Sequence, residues 1–97
     1  MKFHVLGIHA QRIFLTYLHL VFVNNLRDKE LLDKLGNRLK ELRMAKGLTL
    51  EQLAYASEME LSQVHRIEKS KVNPTITTLS AIAKGLDVTL SELLASL

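Results

Sequence analysis

The sequence predicts an all-α fold, a compact five-helix domain preceded by an extra apolar N-terminal segment. Three observations predict it. From residue 28 onward, leucines and other apolar residues recur three and four positions apart, the spacing of a helix face. Cap-type patterns, Thr49-x-x-Gln52 and Thr89-x-x-Glu92, stand at the heads of two such runs. The joins between runs are short, which suits helices packed as neighbours. A chain of 97 residues is one domain's worth of sequence. With 47% hydrophobic and 24% charged residues it should fold around a core.

Residues 1–28 form an N-terminal extension, and the character of the sequence changes near Asn24-Asn25. Ile13 to Val23 holds nine apolar residues of eleven and no charge. That run is too short for a membrane span, which needs about 20 residues. Asn24-Asn25-Leu26-Arg27 offers no small-residue cleavage site for export. Phe14, Thr16, Leu18, Leu20 and Phe22 would share one face of a strand. Three readings stay open: an ordered strand or helix used in self-association, a loose extension, and a membrane or export role.

Residues 29–97 carry the domain. The first helix is expected over Lys29–Lys46, with Leu31, Leu35, Leu39 and Leu42 inward and Gly47 as its stop. The second begins at Thr49, with Leu50, Leu53 and Ala54 inward. The third spans Leu61–Lys69 and buries Leu61, Val64 and Ile67; its start is weakly signalled, because Glu60 is a mediocre cap and Ser57-x-x-Glu60 competes. Asn73-Pro74-Thr75 opens the fourth, in which proline suits the first turn, and Gly85 closes it. The last runs from Thr89 to Ser96. Its Leu90, Leu93 and Leu94 suit core burial, and Leu97 a dimer seam.

Thirteen Lys and Arg against ten Asp and Glu give a net charge of +3. Without Lys2, Arg12, Arg27 and Asp28 the remainder holds ten basic and nine acidic residues, or +1. Net charge therefore permits a nucleic-acid partner without demanding one. Cysteine is absent, which excludes disulfides, thiolate metal sites and cysteine nucleophiles. His4, His9 and His19 fit no metal-ligand spacing, and His65 reads as a packing or rim residue. No glycine-rich phosphate loop or arranged nucleophile appears, so neither an enzyme nor a cofactor is expected.

The second and third helices, separated by about four residues, have the spacing of a helix-turn-helix, whose second helix can lie in a major groove. Spacing alone is weak evidence. The residue identities are stronger: Leu35-Gly36, Leu39, Leu42-Arg43, Gly47-Leu48-Thr49, Gln52-Leu53-Ala54, Val64, Arg66-Ile67-Glu68, Pro74, Leu79, Ala83, Leu86, Val88 and Leu93-Leu94. On these residues the stretch 35–94 closely resembles the Cro and lambda-repressor-like (XRE) family of bacterial and phage regulators. The resemblance implies a five-helix domain acting as a homodimer on partly palindromic duplex DNA, in the cytoplasm. This chain departs from the family pattern at Glu58 and Ser70, where glycine is frequent, and at Leu50, where a DNA-contacting glutamine is common.

Within this motif, Ser62, Gln63 and Arg66 are the candidates for base readout. Arg66 suits guanine O6 and N7, and Gln63 suits adenine N6 and N7. Thr49, Gln52, Lys69, Lys71, Asn73 and Thr75 are the candidates for phosphate. Arg43 and Glu68 correspond to a family ion pair that ties the first helix to the third, a structural role. The expected function is sequence-specific DNA binding in transcriptional control, as a repressor. The alternatives are an antitoxin with a toxin partner, a restriction-modification controller, and a protein-interaction module that does not bind DNA.

Overall fold

The structure, a computed structural model, describes residues 2–97, with side chains described for residues 7–21 and 28–97. Its five helices are α1 (Lys2–Ala45), α2 (Leu50–Ala56), α3 (Leu61–Glu68), α4 (Ile76–Gly85) and α5 (Leu90–Leu93). Helix α1 packs on α3 and α5, α2 packs on α3 and α4, and α4 packs on α5.

The first helix is far longer than Lys29–Lys46. It spans 44 residues and takes in the apolar extension, so the strand face drawn through Phe14, Thr16, Leu18 and Leu20 does not exist. Residues two apart on a helix lie about 200° apart and cannot share a face. The single proline of the chain is Pro74, so nothing in α1 is barred from donating a helical hydrogen bond. The Asn24-Asn25 transition, Phe22 and His4 lie outside the described side chains. No helix among the described residues is long and apolar enough to cross a membrane.

One core collects side chains from all five helices: Leu35 and Leu39 of α1, Leu53 and Ala54 of α2, Val64 and Ile67 of α3, Leu79, Ile82 and Ala83 of α4, and Leu93 of α5, with Leu86 between α4 and α5. Leu42, Leu50, Leu90, Leu94 and Leu97 pack partly buried around it. Leu31 and Leu61 do not join them and are exposed. Each sits at the margin of its helix face, where the periodic pattern alone does not separate rim from interior.

Four helix ends close in the same way. The residue after each end turns left-handed, and the next amide reaches back five residues to a carbonyl: Leu48 to Arg43, Met59 to Ala54, Lys71 to Arg66, and Val88 to Ala83, at 2.9–3.0 Å. This satisfies carbonyls that the helix end leaves free. Glycine takes the left-handed position only once, at Gly47; Glu58, Ser70 and Asp87 hold it elsewhere, with φ of 55°, 62° and 57°. Gly85 is therefore not the stop of α4, because Asp87 takes that part. Gly85 serves close packing instead, since a Cβ there would collide with the Ser57 hydroxyl. Gly36 has the same use: a Cβ would stand 2.5 Å from the Glu68 carbonyl oxygen, so its absence lets α1 and α3 meet.

Three helices start on threonine. Thr49 and Gln52 form a reciprocal capping box, with bonds of 2.9 and 3.1 Å. Thr75 accepts from the Thr78 amide at 3.2 Å, and Thr89 from that of Glu92 at 3.0 Å. Thr75 is thus the cap of α4, and Pro74 lies before the helix, not in its first turn. Helix α5 ends at Leu93, short of Ser96.

Candidate nucleic-acid interface

Helix α3 is held from behind and left open in front. Val64 and Ile67 are buried; Ser62, Gln63, His65, Arg66 and Lys69 are all exposed. At about 100° per residue, Ser62 and Lys69 stand opposite the buried stripe, with Arg66 on one side and His65 on the other. Gln63 lies further toward the flank. Helix α2 braces α3 across a turn of residues 57–60, whose first member, Ser57, is buried. Glu60 caps α3 in backbone conformation only, with no side-chain cap bond.

Beside α3 runs a cleft of about 390 Å³. Ser62, Gln63 and Arg66 line one wall, Asn73 and Thr75 the other, and Ile67, Val72 and Pro74 contribute apolar surface. Five candidate contacts are thereby brought together from residues that are up to 13 positions apart in the chain, Ser62 to Thr75. Lys69 and Lys71 are exposed just after α3, outside that cleft. Thr49 and Gln52 stand apart at the head of α2, their capping atoms engaged with each other. Each keeps donor capacity, since the Thr49 hydroxyl hydrogen and the Gln52 amide nitrogen are not used in the box. Thr75 likewise combines its cap with a place on the cleft wall.

Behind α3, Arg43 grips Glu68 with both arms of its guanidinium. Nε donates to Oε2 at 2.9 Å and Nη2 to Oε1 at 2.7 Å. Nη1 donates to the Leu48 carbonyl at 2.9 Å, so one side chain joins α1, the turn after it and α3. The side chains are only 13% and 5% exposed, so this bond is shielded from solvent and salt. The hydrogen bond to Glu68 raises the Arg43 pKa against the opposing effect of burial. A second strut comes from Ser70, whose hydroxyl donates to the Leu32 carbonyl at 3.1 Å. The ion pair and this bond fix both the orientation and the exit of α3.

Three residues on or beside this face escape a reading for polar DNA contacts. His65 flanks the outward stripe as closely as Arg66 does, which follows from counting round the helix. Leu61 is exposed at the start of α3, where its periodicity suggests a core residue. Glu60 brings a carboxylate to the cleft that any anionic ligand must avoid or neutralise. Among the described residues no group of acidic or histidine side chains is arranged to hold a metal.

A short helix fixed by its apolar side, crossed behind by a second and carrying polar side chains outward, defines a helix-turn-helix module. Residues 34–97 match the family model described as a helix-turn-helix domain, and the chain belongs to that family. Over 61 residues it is 34% identical to the HTH-type transcriptional regulator DdrOP3 of Deinococcus deserti, covering 63% of this chain and 47% of that protein. The chain thus spans less than half the length of that curated relative. Among solved structures, the restriction-modification controller protein C.AhdI of Aeromonas hydrophila superposes with a TM-score of 0.63 at 40% identity, covering 64% of this chain and 94% of that one. The controller protein C.Esp1396I, solved as a tetramer on its natural 35-base-pair operator, gives a TM-score of 0.62 at 39% identity, over 66% of this chain and 88% of that one.

Proposed function

We propose that this protein is a sequence-specific regulator that binds duplex DNA as a homodimer and represses by occupying its operator. The observation that carries the reading is the outward face of α3: Ser62 and Arg66 are free to meet base edges, while Val64, Ile67 and the Arg43–Glu68 pair hold the helix still. A guanidinium fork suits guanine in the major groove, and an amide such as that of Gln63 suits adenine. Lys69, Lys71, Asn73 and Thr75 supply cations and hydroxyl or amide donors for phosphate, which sets register and contributes salt dependence. Thr49 and Gln52 do the same from α2. Selection on random duplex should return a pseudo-palindrome whose halves are centred about 34 Å, one helical turn, apart. If no sequence is enriched even at low salt, the reading fails.

Within that function, a restriction-modification controller is a second reading, supported by the 40% identity to C.AhdI and the 39% identity to C.Esp1396I. Footprinting on the DNA upstream of its own gene tests this, with a protected stretch like the 35-base-pair operator of C.Esp1396I expected of a controller and no protection counting against it.

A further inference from the structure

We propose that residues 7–21 assemble with the same segment of other copies into a four-helix bundle, joining two DNA-binding dimers into a tetramer. The assembly itself does not depend on DNA binding; only its use, the bridging of two operator sites, rests on that reading.

Every described side chain from Gly7 to Val21 is exposed, although this part of α1 is its most apolar. Ile13, Phe14, Leu15 and Tyr17 are each 60–70% exposed, and Leu18 and Leu20 about half exposed. Together with Ile8 and Val21 they leave most of the apolar surface of this segment uncovered, of the same order as the roughly 800 Å² that each partner buries in a stable interface. A lone helix carrying that surface in water has nothing to offset its cost.

The distribution of these residues says how many partners they need. His9, Arg12, Thr16 and His19 fall on one narrow stripe, and the remaining arc of about 240° is apolar except for Gln11. Phe14, Leu18 and Val21, with Gln11 and Gly7 in the same register, form the central seam of a heptad pattern. The flanking positions, where a two-stranded coiled coil usually places charges, hold Ile8, Ala10, Leu15 and Tyr17. One neighbouring helix covers a narrow seam and would leave these flanks wet. Two neighbours cover them, which is the situation of each helix in a four-helix bundle. The sole charge in the segment, Arg12, stays on the outer stripe, so like charges are not forced together.

The test is the mass of the full chain by sedimentation equilibrium. Four copies of the 11.0 kDa chain give about 44 kDa. Phe14→Glu with Leu18→Glu should reduce the mass at least twofold, while Thr16→Glu, on the polar stripe, should leave it unchanged. Should the double variant unfold by circular dichroism, Leu18→Gln alone should still shift the tetramer's dissociation to higher concentration. A wild-type mass of a dimer or less at every concentration overturns the proposal. So does an unchanged mass for the folded double variant, or equal loss with Thr16→Glu. Binding of the wild type, lost in the double variant, to vesicles of anionic phospholipid would assign the segment to a lipid surface instead. A tetramer that ignores DNA would sink the DNA-binding reading and leave this one standing.

Discussion

The left-handed residues at the helix ends differ in what they gain from their side chains. Glu58 is exposed at φ of 55°, and its side chain makes no hydrogen bond that offsets this conformation. An L-residue in that region costs roughly 1–2 kcal/mol, which glycine avoids. Glu58→Gly should therefore raise the unfolding free energy by up to about 1 kcal/mol, after the entropy that glycine gains in the unfolded chain. Ser70→Gly should gain less, because it loses the bond to the Leu32 carbonyl. Urea titration of both variants checks the order; equal gains would mean that the Ser70 hydroxyl contributes nothing. The Arg43–Glu68 pair is the opposite case, a stabilising contact that is costly to half-remove. Arg43→Met should cost about 3–5 kcal/mol, because Glu68 is left shielded and uncompensated. Arg43→Met with Glu68→Leu should recover much of that loss. Because the Arg43 pKa is raised, its contribution is complete below the ordinary arginine value and is lost only at still higher pH. The guanidinium therefore stays charged across the working range.

At the scale of the element, the proposed function divides α3 and the residues after it between reading and gripping. Arg66→Ala should relax selection at one base position, at a cost of about 1–3 kcal/mol in discrimination, with the fold unchanged. Lys71→Ala should instead weaken all sequences alike and lower the slope of log affinity against log salt by about 1. Measured binding isotherms on the selected site and one mismatch, at several salt concentrations, separate the two roles; a uniform loss for Arg66→Ala would move it to the phosphates. Much of α2 and α3 was legible beforehand. Val64 and Ile67 stand three apart and are buried, as is Leu53 of α2, and Thr49-x-x-Gln52 is a cap that depends only on residues three apart. Legibility failed where distant backbones meet. The use of Gly85 is set by Ser57, 28 residues away, and no local pattern reveals it. Nor does local sequence say that Glu58 and Ser70 tolerate a glycine's conformation, since the reaching-back amide is a property of the folded turn. The extension misled for a different reason: an apolar arc wide enough to go most of the way round a helix also contains residues two apart, so a strand period appears inside it.

At the scale of the whole molecule, the core is small and its stability should depend on what the protein holds. Eleven buried apolar residues make up the described core, few enough for assembly and ligand to weigh heavily. Anything that binds only the folded form stabilises it by mass action, by about 2.7 kcal/mol when present at 100 times its Kd. The outward face of α3 exists only when α1 and α2 are packed behind it, so duplex DNA should act as such a ligand. Thermal unfolding should shift upward with the selected operator, and less with scrambled duplex of equal length and concentration. The difference should persist as salt is raised, because base contacts release few counterions, while the shift from scrambled duplex should fade first. Equal shifts from both duplexes at every salt concentration would mean that only phosphate is bound, and the base-reading roles of Ser62, Gln63 and Arg66 would fall together.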